Sequence, residues 1–297
     1  MKPEETRRVD RRRFLAATGG LALAGTLWPK AAPAITPSRR AGGLRTITYN
    51  VLACYGYPTT DDNRAVIDKA RPQIPARIAM ELALYEPDVV TFQESPAESI
   101  VADIADRMGM NHTYFPGGYP GTVITRFEIT ASTNKPLPPS ASGDDAAGLF
   151  TRHWGRAVLQ TDDGDLVLYS AHMYPGDRAD IREKEVTQIL AAMSADLESH
   201  RPMIFQGDLN HTPEGPEYQR WVSAGLRDAL VVKGDAASLT FPCTVPNRRI
   251  DYVWSNGPLA DRLTECRVLF EGAFRTNPDD PKSFAVSDHI PVLAVFE

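Results

Sequence analysis

Seven short polar groups, most of them at the end of an apolar, strand-forming run, are the residues of this chain best suited to chemistry. They consist mainly of carboxylates, amides and imidazoles. A strand that stops at such a group places it at the edge of a sheet, where loops and ligands meet. In chain order the groups are Tyr49-Asn50, Gln93-Glu94, Thr125-Arg126, His172, Asp208-Leu209-Asn210, Asp251 and Asp288-His289.

The acidic groups favour a hard divalent cation. Glu94 and Asp288 are oxygen ligands, and Asn50 can add a neutral amide oxygen. Mg²⁺ suits this set because it keeps several waters and needs only one or two protein carboxylates, and Mn²⁺ tolerates the same ligands. The sequence contains no His-x-x-x-His pattern and no paired cysteines, so it does not favour zinc.

Three further groups could act on water and phosphate. In an extended backbone Asp208 and Asn210 point to the same side, so they can address one water or one phosphate oxygen together. Gly207 before them permits a close approach of the backbone. His172 and His289 are candidates for proton transfer and for stabilising charge on a phosphoryl oxygen.

Asp251 lies in an alternating run that predicts partial burial, and a buried carboxylate needs a partner. His289 is the natural partner, because such a pair fixes the imidazole tautomer and raises its basicity. An ion pair with Arg248 or Arg249 is the structural alternative.

Every other group also has a structural explanation. Asn50 could be a strand-end residue, Glu94 could lead into a helix, and Asp208–Asn210 could shape a turn. His172 could be a satisfied core histidine, and Asp288-His289 a solvated entry to a strand. All of these explanations would have to hold at once for the chain to lack a site.

Nine strands and four helices are predicted around these groups. The strands are Leu44–Val51, Asp88–Glu94, Thr122–Thr130, Arg156–Gln160, Leu166–His172, Met203–Gly207, Arg249–Ser255, Cys266–Glu271 and Pro291–Phe296; the helices are Asn63–Tyr85 (with its start marked by Pro72 and Pro75), Glu98–Met108, Asp180–Leu197 and Pro216–Gly225. Hairpin-ordered strands mixed with separated helices favour an α/β architecture of sheets covered by helices. The pattern leaves open whether two sheets pack face to face or one open sheet forms. The Pro-, Ser- and Gly-rich stretch Asn134–Gly148 is interpreted as a long loop within one domain.

The first 34 residues differ from the rest. Arg11-Arg12-Arg13 precedes an apolar stretch from Phe14 to Trp28, and Ala32-Pro33-Ala34 offers a small-residue cleavage site. This pattern resembles a bacterial twin-arginine signal, with an uncleaved anchor or an exposed basic arm as alternatives. We therefore predict an export signal over residues 1–34, a short linker over 35–43 and one catalytic domain over 44–297, located in the periplasm or secreted.

The net charge of the chain limits which substrates and partners it can bind tightly. The 297 residues carry a net charge of −6, and residues 1–34 hold seven of the basic and three of the acidic residues, which leaves 25 basic and 35 acidic residues and a net charge of −10. Such a surface disfavours tight nonspecific binding of nucleic acid, although a site metal would supply local positive charge. Three cysteines allow at most one disulfide, and they are interpreted as buried thiols.

Seven segments in this order resemble the signature of the endonuclease/exonuclease/phosphatase superfamily, which includes deoxyribonuclease I-like nucleases, abasic-site endonucleases, inositol polyphosphate phosphatases and neutral sphingomyelinases. The resemblance runs from about Leu44 to Phe296. The segments are Thr-Tyr-Asn50-Val, Asp-Val-Val-Thr-Phe-Gln-Glu94, Val-Ile-Thr-Arg126-Phe, Ser-Ala-His172, Gly-Asp208-Leu-Asn210, Arg-Ile-Asp251-Tyr-Val and Ser-Asp288-His289-Ile-Pro-Val.

The resemblance implies a four-layer α/β/β/α sandwich with two facing mixed, mainly antiparallel sheets. It also implies phosphoester hydrolysis by an activated water, without a covalent intermediate. By matching motif, Glu94 would be the chief metal ligand, assisted by Asn50 and Asp288. The residues that would act on water and phosphate are Asp208 and Asn210 on the water, His289 oriented by Asp251, and His172 on the scissile phosphoryl or leaving group; Arg126 serves only as a marker of the fold.

The leading hypothesis is an exported, monomeric phosphodiesterase or phosphatase that depends on Mg²⁺ or Mn²⁺.

 The negative charge of the chain beyond residue 34 favours a small phosphoester or a lipid head group as the substrate. The twin-arginine export machinery is the expected protein partner. The alternatives are an extracytoplasmic nuclease that degrades DNA or RNA, and a catalytically silent relative that binds a phosphorylated ligand.

Overall fold

A computed structural model describes residues 43–136 and 148–297. The predicted export signal (residues 1–34) and nearly all of the predicted linker lie outside these residues, as does most of the loop predicted over 134–148. Within the described ranges, no helix combines the length and the apolar character that crossing a membrane requires.

Twelve strands in the described residues form two six-stranded sheets, in the orders β11-β12-β1-β2-β4-β3 and β5-β6-β7-β8-β10-β9. The pairs β1–β2 and β7–β8 are parallel and the other neighbours are antiparallel, which confirms the mixed, mainly antiparallel sheets. The strands are β1 (Leu44–Asn50), β2 (Val89–Gln93), β3 (Asn111–Phe115), β4 (Gly121–Thr125), β5 (Glu128–Asn134), β6 (Trp154–Thr161), β7 (Gly164–His172), β8 (Met203–Asp208), β9 (Arg227–Asp228), β10 (Asp251–Ser255), β11 (Leu263–Val268) and β12 (Val292–Phe296).

Seven α-helices in the described residues flank the two sheets. They are α1 (Arg64–Ala70), α2 (Ile74–Ala83), α3 (Glu98–Met108), α4 (Ala179–Glu198), α5 (Pro216–Ser223), α6 (Ala229–Lys233) and α7 (Gly257–Ala260), with short 3₁₀ turns at Leu52–Cys54, Arg71–Gln73 and Gly272–Phe274. The predicted helix Glu98–Met108 is confirmed with the same bounds, and Gly109 ends it with a left-handed φ of 66°.

Side-chain alternation along the strands builds the four layers, because successive residues of a strand point to opposite faces. In β1, Ile47 and Tyr49 pack with the apolar faces of α2 and α3. In β8, Met203 and Phe205 pack with residues of α4 and α5. A third apolar cluster fills the space between the sheets, with Ile204 of β8 among its members. The four-layer α/β/β/α sandwich is therefore confirmed.

A buried polar ladder crosses the space between the sheets near the functional edge. Thr46 of β1 donates through Oγ1 to Gln206 Oε1 of β8 at 2.8 Å. The amide nitrogen of Gln206 in turn donates to Ile47 O at 3.1 Å and to Thr91 Oγ1 of β2 at 3.0 Å. Each buried polar group here has a partner, so the ladder fixes how the two sheets face each other.

The strand predicted over Thr122–Thr130 is wrong, because the chain changes sheets inside it. β4 belongs to the first sheet and β5 to the second. At the crossing, Arg126 donates from its backbone N–H to Asp88 O at 3.0 Å, and its side chain pairs with the Asp88 carboxylate. Phe127 N–H donates to Thr125 Oγ1 at 3.1 Å. These local bonds turn the chain, although the run of β-branched residues is continuous.

The single helix predicted over Asn63–Tyr85 is also wrong. It is divided into α1, a 3₁₀ turn over Arg71–Gln73 and α2, since Pro72 and Pro75 lack the N–H that a continuous helix needs. The sequence reasoning missed β3, β9, α6 and α7, which are two to five residues long and show no clear periodicity.

We predict that Gly207→Ala destabilises the protein by at least about 2 kcal/mol, because the new methyl group would overpack β7 against β8. A Cβ at Gly207, whose φ is +153°, would lie 1.9 Å from the backbone oxygen of Ala171. Gly257→Ala is the matched control, since a Cβ there meets no atom within 4 Å. Urea denaturation measures both, and equal stability of the two variants would contradict the close approach.

Candidate active site

Three of the predicted site residues lie in one row across the second sheet. The register pairs His172 of β7 with Asp208 of β8, and Asp208 with Asp251 of β10. All three are buried. Because paired residues of neighbouring strands point to the same face, the row projects toward the first sheet. The strand ends that were recognised separately in the sequence are thus brought together by register.

The first sheet contributes the other half of the site. Asn50 ends β1 and Glu94 directly follows β2. Glu94 has a left-handed φ of 49°, and Ala53 N–H donates to its carbonyl oxygen at 2.8 Å. The loop before β12 carries Asp288 and His289, and it is tied to β1 because Ser287 donates from Oγ to Asn50 O at 2.6 Å.

Asn50 joins the two halves through its side-chain amide. Its Nδ2 donates to Asp208 Oδ2 at 3.1 Å and to Glu94 Oε1 at 3.4 Å. Its Oδ1 accepts a hydrogen bond from Leu52 N–H at 3.1 Å. In this structure Asn50 therefore meets the carboxylates as a donor, whereas the predicted role as a metal ligand requires the amide to turn over.

The predicted Asp251–His289 pair is present. His289 Nδ1 lies 2.9 Å and 3.1 Å from the two Asp251 oxygens, and its Nε2 lies 3.6 Å from Asp208 Oδ2. Burial lowers the pKa of His289, but the Asp251 and Asp208 carboxylates outweigh it and raise the pKa to about 10. The alternative partner Arg249 pairs with Asp228 instead, at 3.1 Å.

Asp208 is the centre of the site. Besides Asn50 and His289, it faces His172, whose Nε2 lies 3.3 Å from Asp208 Oδ2. Burial raises the pKa of Asp208 to about 7, and the neighbouring donors oppose the rise. Burial also lowers the pKa of His172 well below its ordinary value. The two histidines are therefore differently charged at neutral pH: His289 is cationic and His172 is neutral.

Asn210 lies beside Asp208 with a left-handed φ of 53°. Its backbone N–H donates to Asp208 Oδ1 at 3.2 Å, and its Nδ2 donates to Met173 O at 3.0 Å. The first bond orients the carboxylate, and the second fixes the amide next to the strand end of His172. The contact between the two residues thus comes from the Asn210 backbone N–H, and the extended backbone expected from their spacing is not present.

Two groups of side chains could hold a divalent cation. In the first, Glu94 is partly buried, and burial followed by the nearby charge of Asp288 raises its pKa. Two carboxylates with some access to solvent and no cationic partner within 4 Å among the described residues fit a hard cation in chemistry and charge. In the second, acceptor atoms of Asp208, Asp251 and His289 lie within 4.8 Å of one another. There the His289–Asp251 bond would have to open, so the first group fits better.

The remaining histidines do not reach this edge as ligands. His153 and His211 are both buried in the structure. His153 Nε2 lies 2.9 Å from Ser170 Oγ, and His211 Nε2 accepts from Trp221 Nε1 at 3.1 Å. Sequence reasoning also missed Arg152, whose positive charge opposes the rise that burial causes in the pKa of Glu94 and adds to the fall that burial causes in that of His172. A single arginine before a strand gives no signal in the sequence.

The sequence profile described as Endonuclease/Exonuclease/phosphatase family matches residues 47–289. The chain belongs to this family. The matched range contains Asn50, Glu94 and His289, so it spans both halves of the site. The family is one of phosphoester hydrolases, which agrees with carboxylates, amides and imidazoles gathered at one edge of the paired sheets.

Solved structures show the same fold. A family protein from Bacteroides thetaiotaomicron is 19% identical with a TM-score of 0.64, covering 88% of this chain and 97% of its own. The mannosyl-6-phosphatase of the same organism is 19% identical with a TM-score of 0.64, covering 84% and 98%. D. rerio TDP2, complexed with a single strand DNA product, is 18% identical with a TM-score of 0.61, covering 86% and 100%. No curated protein sequence matches this chain significantly.

We predict that Asp251→Asn lowers the pKa of His289 from about 10 toward the ordinary histidine value. The pair stabilises the fold fully below the unfolded pKa of about 6.5, and this stabilisation is lost as the pH rises through about 10. NMR titration of the imidazole measures the change. Asp261→Asn, which removes an exposed partner of Arg227, should leave the His289 titration unchanged. A pKa that stays near 10 in Asp251→Asn would show that Asp251 does not charge the ring.

Proposed function

We propose that the protein is an exported, divalent-metal-dependent hydrolase that cleaves a phosphoester by means of an activated water. The observation that carries the proposal is the environment of Asp208. This buried carboxylate faces three nitrogen groups, Asn50 at 3.1 Å, His172 at 3.3 Å and His289 at 3.6 Å. Such a ring of groups around one base supports the chemistry that the family performs.

Glu94 and Asp288 are the residues that would hold the cation, with Asn50 between Glu94 and Asp208. Bound Mg²⁺ or Mn²⁺ would supply positive charge to a phosphoryl oxygen. The chain itself keeps Glu94 in place through its strained backbone, which the hydrogen bond from Ala53 N–H holds.

Asp208 is assigned to orient and deprotonate the attacking water. A general base works best when its pKa lies near the working pH, and burial raises the pKa of Asp208 to about 7. Asn210 assists, because its backbone N–H fixes one oxygen of that carboxylate at 3.2 Å and leaves the other toward the site.

The two histidines divide the remaining work. His289 carries the positive charge that Asp251 maintains, so it is suited to stabilise negative charge on the phosphoryl group. His172 is neutral, and its ring N–H is suited to donate a hydrogen bond toward the leaving group. This assignment gives each imidazole the protonation state that its surroundings favour.

The net charge of −10 beyond residue 34 supports a small phosphoester or a lipid head group as the substrate. The structural likeness to a mannosyl-6-phosphatase agrees with a small phosphoester. The likeness to D. rerio TDP2 with a single strand DNA product supports the second candidate, an extracytoplasmic nuclease.

We predict that purified protein hydrolyses bis(p-nitrophenyl) phosphate or p-nitrophenyl phosphate with Mg²⁺ or Mn²⁺ and loses this activity in EDTA. Asp208→Asn and His289→Ala should each lower kcat about a hundredfold or more, since each removes an acid–base or charged group. Asp261→Asn is the surface control and should retain full activity. Activity that persists in EDTA, or in Asp208→Asn, would refute the site assignment.

Assays of the same purified protein on nucleic acid and on small phosphoesters distinguish the candidate substrate classes. Degradation of plasmid or single-stranded DNA at rates above those on small phosphoesters would favour the nuclease. Metal-dependent binding of phosphate without turnover of any ester would instead indicate a catalytically silent relative.

We predict that the paired change Arg11→Lys and Arg12→Lys abolishes export in a bacterial host with a twin-arginine pathway. The twin-arginine machinery reads this pair, which precedes the apolar stretch from Phe14. Arg7→Lys with Arg8→Lys is the matched control and should be exported normally. Cell fractionation with immunoblotting measures both proteins, and equal export of the two would contradict the signal.

A further inference from the structure

Arg152 is a cationic side chain beside the site that lacks an acidic partner within 4 Å in the described ranges 43–136 and 148–297. Its Nη1 donates to Thr151 Oγ1 of the preceding residue at 3.3 Å, and its Nε is buried without a hydrogen-bond partner. Nearby Arg178, by contrast, forms a two-pronged pair with Asp180 at 2.8 Å and 2.9 Å. A buried guanidinium nitrogen without an acceptor is costly, so Arg152 has the capacity to bind an anionic ligand.

Two tyrosines hold the guanidinium of Arg152. Its Cζ lies 4.5 Å from the ring centroid of Tyr119 and 5.6 Å from that of Tyr174. Rings at these distances attract the cation and restrict its rotation. The guanidinium is therefore positioned by its apolar faces, which leaves its N–H edges for an anionic ligand.

The loops that carry these residues are fixed to one another. The buried Glu185 carboxylate accepts hydrogen bonds from Phe150 N–H at 2.9 Å and Tyr174 N–H at 3.0 Å. On the other side, a Cβ at Gly118 would lie 2.6 Å from Thr151 O, so the turn before Tyr119 lies against the backbone next to Arg152. Arg152 is thus held before any substrate arrives.

This arrangement adjoins the catalytic groups at His172. The ring centroids of Tyr119 and His172 are 6.1 Å apart in an edge-on arrangement. His172 N–H donates to the carbonyl oxygen of His153, the residue after Arg152, at 2.9 Å. The charge of Arg152 also opposes the rise that burial causes in the pKa of Glu94 and adds to the fall that burial causes in that of His172, so it acts on both groups.

We propose that Arg152, held between Tyr119 and Tyr174, binds a non-bridging oxygen of the substrate's phosphoryl group beside His172 and makes the site prefer phosphomonoesters to phosphodiesters. A phosphomonoester dianion carries a second negative charge that a diester lacks, and the planar guanidinium can pair with two of its oxygens. The inference rests on the proposed phosphoester hydrolysis and narrows its substrate class.

The test compares Arg152→Met, Arg152→Lys and the control Arg227→Met, which removes an exposed partner of Asp261, with the unaltered protein in Mg²⁺. Calorimetry measures the affinity for inorganic phosphate, and steady-state kinetics give KM and kcat for p-nitrophenyl phosphate and bis(p-nitrophenyl) phosphate. Loss of a charged hydrogen bond should weaken phosphate binding and raise the monoester KM about tenfold or more in Arg152→Met. The diester KM should change less, Arg152→Lys should be intermediate, and Arg227→Met should behave as the unaltered protein.

Unchanged phosphate affinity in Arg152→Met, or an equal loss on both esters, would overturn the proposal. If Arg152→Met does not fold, Arg152→Lys decides, because lysine keeps the charge but loses the two-pronged geometry and should bind phosphate more weakly. If the protein hydrolyses neither ester, the proposed function fails, whereas the phosphate titration still tests Arg152 by itself.

Discussion

The site depends on one constraint: carboxylates from two different sheets are buried close together and must all be satisfied. Asn50 meets this constraint most directly, because its amide donates to Glu94 of the first sheet's edge and to Asp208 of the second. The ladder from Thr46 through Gln206 continues the same polar contact into the interior. Since buried polar groups without partners are costly, only one relative position of the sheets satisfies the whole set. The geometry of the site is thus a consequence of how the sandwich closes.

The register of the strands in the second sheet determines which charged side chains of the site lie next to each other. His172, Asp208 and Asp251 share one row of the second sheet, and His289 enters from the loop before β12 to lie against Asp251. One histidine gains a carboxylate partner and becomes cationic, while burial keeps the other neutral. Two chemically identical side chains therefore acquire different roles from their surroundings alone. Arg152 adds a second positive charge beside His172, held by aromatic rings and with no carboxylate partner within 4 Å in residues 43–136 and 148–297.

The sequence predicts the strand ends well, because an apolar run that stops at a polar residue is visible without structure. Asn50, Glu94 and Asp208 were found in this way, and the resemblance to a family added the sandwich. Register is not visible, so the row of His172 beside Asp208 could not be predicted from either strand. The change of sheet at Arg126 was missed because it depends on bonds to Asp88, which is distant in the chain. Arg152 was missed because the rings that hold it, Tyr119 and Tyr174, come from distant parts of the chain.

The position of the bound metal is the most direct test, because the cation is assigned to Glu94 and Asp288 whereas the general base is Asp208. Anomalous scattering from crystals soaked in Mn²⁺ would locate the ion. The account predicts an ion about 2.0–2.2 Å from a Glu94 carboxylate oxygen and near Asp288, with the Asp251–His289 hydrogen bond intact. An ion bound instead among Asp208, Asp251 and His289, with that hydrogen bond broken, would contradict it.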